Sequence, residues 1–207
     1  MRAHNPLLVR LMLKKVLMVC FFVVLAGCVS SNPAFHNYRL VADSELNVVT
    51  EADKLPSSVG VFPVSVAGWL DKRQVIWSDG GVNIHSSTLD RWGEPLPELM
   101  TRAMAENLQK ASGTEVWVSP GPWLRKHRPE VVAKIEVQSI SIAGGQLNLM
   151  AGWTLEDIEG QAVAHRQAVY NKPFTGTEPD SGYVETLSQV WGLVATDIVR
   201  TLGVVPE

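Results

Sequence analysis

The chain has very little cysteine: Cys20 and Cys28 are the two in 207 residues. A disulfide-stapled scaffold is thereby excluded, so stability has to come from a packed core. Long hydrophobic runs are also missing. A bilayer takes about 20 apolar residues to span, and the candidate run Val16–Ala26 has eleven. There is no Gly-x-Ser-x-Gly elbow, no phosphate-binding loop and no His-Glu-x-x-His pair. The histidines, His4, His36, His85, His127 and His165, stand at no metal-ligand spacing with other donors, so neither a metal nor a cofactor is expected. Gly144-Gly145 lacks the context of a phosphate cradle, and Glu156-Asp157 falls at a predicted turn, where hydration accounts for it. Asp90 beside Arg91 reads equally well as a local ion pair. These absences argue against an enzyme. Basic charge is scarce too, and no stripe could neutralise phosphates, which argues against nucleic acid. The cluster Arg125-Lys126-His127-Arg128 reads as a solvated loop, with contact to anionic head groups or cell-wall polymer as the rival reading.

What the N-terminus does hold is a leader pattern. Arg2, Arg10, Lys14 and Lys15 precede the apolar run, and Leu25-Ala26-Gly27-Cys28 closes it. That quartet resembles a bacterial lipobox, in which the chain is cut before the cysteine and Cys28 carries lipid. Met12–Cys28 is a complete signal by itself, so either Met1 or Met12 could open the chain. Removing residues 1–27 takes away four cations and no anion, and the formal charge moves from −3 to −7. It removes Cys20 as well. A single acyl chain holds a membrane only marginally, whereas several hold firmly, and lipobox proteins resemble the second case. Val29 follows the cysteine, where aspartate commonly marks inner-membrane retention. The resemblance therefore implies lipid anchoring at the periplasmic face of the outer membrane. The organisation expected is a signal peptide over 1–27, a lipidated tether over 28–37 and one domain over 38–207.

Periodicity supplies the rest of that domain. Tyr38–Val41 reads as a first strand, and 43–57 as a loop. The β-branched run Val59–Val66 reads as a strand that Pro63 confines to an edge or a bulge. Gln74–Trp77 and Val82–His85 flank a Ser-Asp-Gly-Gly hairpin turn. Leu96, Leu99, Met100, Ala103, Met104, Leu108 and Ala111 repeat at helical spacing, with Pro95 and Pro97 at the start and Gly113 at the end. After a short strand at Val116–Val118, Ala133, Ile135 and Val137 alternate with polar residues. The alternation changes phase at Ile140, which predicts a bulge near Ser139. Gly144-Gly145 turns the chain into Leu147, Leu149, Ala151, Trp153 and Leu155, and a weaker strand returns over Gln161–Tyr170. A second helix runs from about Asp180 to Leu202, capped by Asp180 or Ser181 and followed by Gly203. The predicted class is α+β: a largely antiparallel sheet with two main helices packed on one face.

Tryptophan is over-represented. All seven lie beyond the leader, and Trp153 and Trp191 fit core positions. Trp69, Trp92 and Trp123 fall in predicted loops or at element ends, where they either lid the core or serve an interface.

Four blocks carry a resemblance to a known family. They are Tyr38-Arg39-Leu40; Val59–Val64 with Trp69–Val75; Leu89-Asp90-Arg91-Trp92-Gly93-Glu94-Pro95-Leu96, expected to open the first helix; and Gly152-Trp153 with Asp180–Tyr183 and Val190-Trp191. They span nearly all of the chain beyond the leader and resemble the PqiC family of ABC-type transport auxiliary lipoproteins. The loop after Arg39 and the stretch Arg125–Glu130 depart from it. The resemblance implies a non-enzymatic subunit of an intermembrane lipid-transport and envelope-integrity system. Its partner would be a periplasm-spanning MCE protein, with a homo-oligomeric ring matching that partner's symmetry. An interface would be sought at Arg91 and Trp92 with Trp69 and Leu70; the rival view is that Asp90-Arg91-Trp92 locks a loop onto the first helix. A periplasmic lipid-binding carrier is the alternative function, disfavoured by the clean alternation, which suggests a filled core.

Overall fold

The computed structural model describes residues 10, 14–15, 34–48, 55–118 and 128–204. Cys28, the apolar run before it, the start of the tether, Trp123 and the basic residues 125–127 lie outside the described residues. The chain divides into Met1–Ala34 and Phe35–Glu207, and the second unit carries the fold. No helix among the described residues is long and apolar enough to cross a membrane.

Among the described residues of this unit are nine strands and two helices. In chain order they are β1 (His36–Tyr38), β2 (Ser58–Val61), β3 (Ser65–Val66), β4 (Gln74–Ser78), β5 (Ile84–Trp92), α1 (Leu96–Ser112), β6 (Glu115–Val118), β7 (Val131–Ala143), β8 (Gln146–Asp157), β9 (Ala162–Pro173) and α2 (Ser181–Leu202).

The meander β7–β8–β9 forms as its alternation predicts. Ala133, Ile135 and Val137 pair with Leu155, Trp153 and Ala151; the register then shifts between Val137 and Ser139, and Ile140 meets Leu149. All of these are buried, so the extra residue at the shift keeps both halves of β7 facing the core although the alternation changes phase. Gly144 and Gly145 turn the chain with φ of 62° and 72°, values that suit glycine alone.

The sheet is mixed rather than largely antiparallel. The second edge of β7 takes three segments in turn, all parallel to it: β2 along Val131–Ala133, β3 at Glu136–Val137 and β4 at Ser141. β2 also pairs in parallel with β6, and β1 pairs in parallel with β5. The β4–β5 hairpin, β7–β8 and β8–β9 supply the antiparallel part. The reason is geometric. A thirteen-residue strand with one edge filled by β8 leaves a second edge longer than any other segment can cover alone.

Pro63 explains how the Val59–Val66 run is divided. β2 lies inside the sheet between β6 and β7, not at an edge. The proline has no N–H to give, and it falls in the gap between β2 and β3. On either side the ladder is replaced by single bonds: Phe62 N–H donates to Ala133 O at 3.0 Å, and Val64 N–H to Thr101 Oγ1 at 2.8 Å.

Both helices bury their predicted stripes in one continuous core. Gly113 ends α1 in the left-handed conformation at φ 68°. Asp180 caps α2, its carboxylate accepting from Tyr183 N–H at 2.8 Å, whereas Gly203 keeps right-handed geometry at φ −70°. Trp191 Nε1 donates to Met100 O at 2.9 Å and ties the two helices together. The block Leu89–Trp92 does not open α1; it completes β5, and the helix begins only at Leu96.

Candidate functional site

The residues singled out for an interface come together at the open end of β5. Trp69 and Leu70 lie on the turn after β3, and Trp92 N–H donates to Arg73 O at 2.8 Å, which seats that turn against the end of β5. β1 closes the other side: Gly93 N–H donates to Tyr38 O at 2.7 Å. Leu70 and Trp92 are each only 1% exposed and belong to the core. Neither offers surface to a partner in this monomer. Trp69 is half-buried against the same core. Arg91 is the half-exposed member; its guanidinium carbon stands 3.5 Å from the centroid of the Phe35 ring, a cation–π stack. Its Nε is buried without a hydrogen-bond partner.

Asp90 is the polar centre of this end, and its neighbours differ from the Arg91 pairing that adjacency suggests. Ser87 Oγ donates to Asp90 Oδ2 at 2.6 Å, Tyr38 OH donates to Oδ1 at 3.2 Å, and His36 Nδ1 lies 3.0 Å from Oδ1. Partial burial pushes the Asp90 carboxyl up, but the hydrogen bonds from Ser87, His36 and Tyr38 together outweigh it and hold the carboxyl below its ordinary value. Burial and the Asp90 charge both push the Tyr38 hydroxyl up. Sequence reasoning missed Phe35, His36 and Ser87. They lie in a segment that reads as tether and in a strand whose length exceeds its alternating part, so no periodic signal marks them.

Two further polar features lie elsewhere. On the open face of the sheet a basin of about 380 Å³ is lined by Phe62, Lys134, Glu136, Gln138, Gly152 and His165, among others. Its charges and amides are largely paired: Lys134 Nζ donates to Glu156 at 2.7 Å and Gln167 Nε2 to Gln138 Oε1 at 2.7 Å. Thr154 Oγ1 and His165 Nδ1, also in the basin's lining, stand 3.1 Å apart. On the helix face, Trp153 Nε1 donates to Tyr170 OH at 3.1 Å, Tyr170 OH donates to Asp197 Oδ2 at 2.6 Å, and Arg166 Nη1 stands 3.0 Å from Asp197 Oδ1. This chain joins β8, β9 and α2. Among the described residues no group of three or more His, Cys, Asp or Glu could hold a metal ion.

Residues 38–199 match the family described as ABC-type transport auxiliary lipoprotein component. The chain belongs to that family. It is a PqiC-like member, and the four sequence blocks lie within or against the matched span. Among solved structures, an uncharacterized protein aligns with a TM-score of 0.64 at 17% identity, over 82% of this chain and 99% of that one. Protein XCC0632 from Xanthomonas campestris gives 0.64 at 14% identity, over 81% and 94%. A PelC dodecamer from Paraburkholderia phytofirmans gives 0.45 at 12% identity, over 75% and 93%. At such identities the first two show the fold. No curated protein sequence matches the chain.

Proposed function

We propose that this auxiliary lipoprotein is held at the periplasmic face of the outer membrane by lipid on Cys28, and that it docks a periplasm-spanning MCE protein without itself catalysing a reaction. Family membership across residues 38–199 is the observation that carries the reading. The packing supports an adaptor over a lipid carrier. Leu147, Leu149, Leu155, Met100, Met104 and Ile140, which face one another across the sheet–helix layer, are all under 2% exposed, and cores packed to that degree leave no room for an acyl chain. The surface offered for docking is the Arg91–Phe35 stack with half-buried Trp69, since Leu70 and Trp92 serve to hold it in place. A homo-oligomeric ring suits a tubular partner, and the outer edge of β9, paired on one side only among the described residues, gives such a ring a strand to build on.

Affinity purification of the full chain from membranes tests this. An MCE-family protein should co-purify, and Arg91→Ala should release it. A folded chain that brings down no MCE protein overturns the docking reading. Native mass spectrometry of the same sample separates the alternative, because a carrier would retain lipid inside the domain.

A further inference from the structure

Arg91 stands in the middle of a row across three strands. Its register partners are Asn37 on β1 and Gln74 on β4, and residues paired in a sheet point to the same face. The next residue, Trp92, is buried, so the row faces away from the core. Both amides are exposed, and strands about 4.8 Å apart hold them close on either side of the guanidinium. Phe35 stacks on that guanidinium, 3.5 Å from ring centroid to Cζ. Among the described residues, no side chain of the row makes a hydrogen bond or an ion pair, and the buried Arg91 Nε is left without an acceptor. An orphaned donor of this kind calls for a partner from outside.

The same end gathers cations that the chain leaves unpaired. Arg39 directly follows β1, and Lys72 and Arg73 lie on the turn whose Arg73 O accepts from Trp92 N–H. All three are exposed, and among the described residues none of their side chains has a bonded partner. Elsewhere in the domain cations are occupied. Arg102, Lys134, Arg166 and Lys172 face carboxylates, Lys110 and Arg128 donate to backbone carbonyls, and Arg200 is the exception. Of the acids on these segments, Asp90 is held by Ser87, Tyr38 and His36, and Glu94 by Arg102. Only Asp71 has no described partner. A chain of formal charge −3 thus keeps a local excess of positive charge where its aromatic residues are exposed.

We infer that the Asn37–Arg91–Gln74 row receives a carboxylate from an acidic segment of the docked protein, whose neighbouring acids meet Arg39, Lys72 and Arg73. The inference rests on the docking reading and names the chemistry of its partner. A guanidinium fixed by a ring and flanked by two uncharged amides offers a planar fork to one planar anion. Phe35, 48% exposed, and half-buried Trp69 add the apolar contact found at the centre of protein interfaces. A plane of phosphate head groups has no use for that aromatic contact or for a single oriented fork.

The test uses the full lipidated chain in detergent, with a fluorescein-labelled hexaglutamate peptide as probe and anisotropy at low salt as readout. Arg91→Gln should weaken binding about tenfold or more, and Arg91→Lys, which keeps the charge and loses the fork, several-fold. Gln74→Glu sets a carboxylate inside the row and should block the peptide as strongly as Arg91→Gln. Gln161→Glu, the same change in charge at the exposed β8–β9 turn, should leave it bound. Unchanged thermal melting shows that each variant is folded. No binding by the native chain, equal binding by Arg91→Gln, or equal effects of Gln74→Glu and Gln161→Glu overturn the inference. Displacement of the peptide by phosphatidylglycerol vesicles but not by phosphatidylcholine vesicles assigns the row to head groups and overturns the protein partner. Arg91-dependent peptide binding in a chain that co-purifies no MCE protein overturns the docking reading and leaves the carboxylate site standing.

Discussion

Tyr170 OH donates to Asp197 Oδ2 across 2.6 Å, from β9 to α2. The Tyr170 hydroxyl oxygen also accepts from Trp153 Nε1, and Asp197 is held from its other side by Arg166. One aromatic hydroxyl thus links the sheet to the helix that covers it.

Replacing Tyr170 with phenylalanine removes that donor and orphans the indole N–H. Unsatisfied buried groups cost about 1–3 kcal/mol, and a domain of this size loses roughly 2–4 °C in Tm per kcal/mol. Calorimetry on Tyr170→Phe should show a fall of several degrees with no change in far-UV circular dichroism. An unchanged Tm would mean the link contributes nothing.

Alkaline stability follows from the tyrosines. Burial, with the Asp197 bond adding to it, pushes the Tyr170 hydroxyl up to about 12; burial pushes Tyr183 up as well, and burial with Asp90 does so for Tyr38. These are all three tyrosines of the chain. A raised folded value means the native state keeps protons that the unfolded chain gives up. The stabilisation is complete below about pH 10, the ordinary tyrosine value. It is lost as pH rises through 10 toward 12. Tyrosinate absorbance should therefore appear together with unfolding rather than before it. Early, independent ionisation of all three would contradict the burial.

Trp92 separates packing from docking. At 1% exposure, truncation to alanine should cost about 3–5 kcal/mol, as large core deletions do. Arg91→Ala should stay within about 1 kcal/mol of the native fold, since surface substitutions rarely exceed that. Denaturant titration checks both, and a stable Trp92→Ala chain would return that residue to the interface.

Gly192 is a close-approach glycine inside α2. A Cβ there would meet the Asp43 Cβ and Oδ2 at 2.7 Å each. Alanine normally gains about 1 kcal/mol over glycine in a helix, yet the clash with the Asp43 segment should reverse the sign, and overpacking costs about 1–3 kcal/mol. Chemical denaturation of Gly192→Ala should show net destabilisation. A gain would mean the segment at 43 moves aside freely.

Asp90→Asn tests the clasp on β1. Its carboxyl is held below its ordinary value, so the stabilisation it gives is present above about pH 4 and fades as pH falls below that. Hydrogen exchange at the Gly93 amide, which donates to Tyr38 O, should accelerate in Asp90→Asn at neutral pH and in the native chain at acid pH.

The sequence by itself determined the elements whose burial repeats locally. The α1 and α2 stripes, the β7–β8–β9 meander, the bulge beside Ser139 and the Gly144-Gly145 turn are all written in spacings of two or of three and four. Only the tertiary structure decided which segments share an edge. β2, β3 and β4 queue along β7 in parallel, Leu89–Trp92 extends a strand instead of starting a helix, and Asp90 finds His36 and Tyr38 more than fifty positions away. Periodicity records which side of an element meets the core. It carries no address for the strand or side chain that arrives from elsewhere in the chain, because that is settled by competition among distant segments for one open edge. Leu70 and Trp92 illustrate the difference: position in a loop or at a strand end suggested surface, and closure of β1 and the 69–73 turn around them made them core.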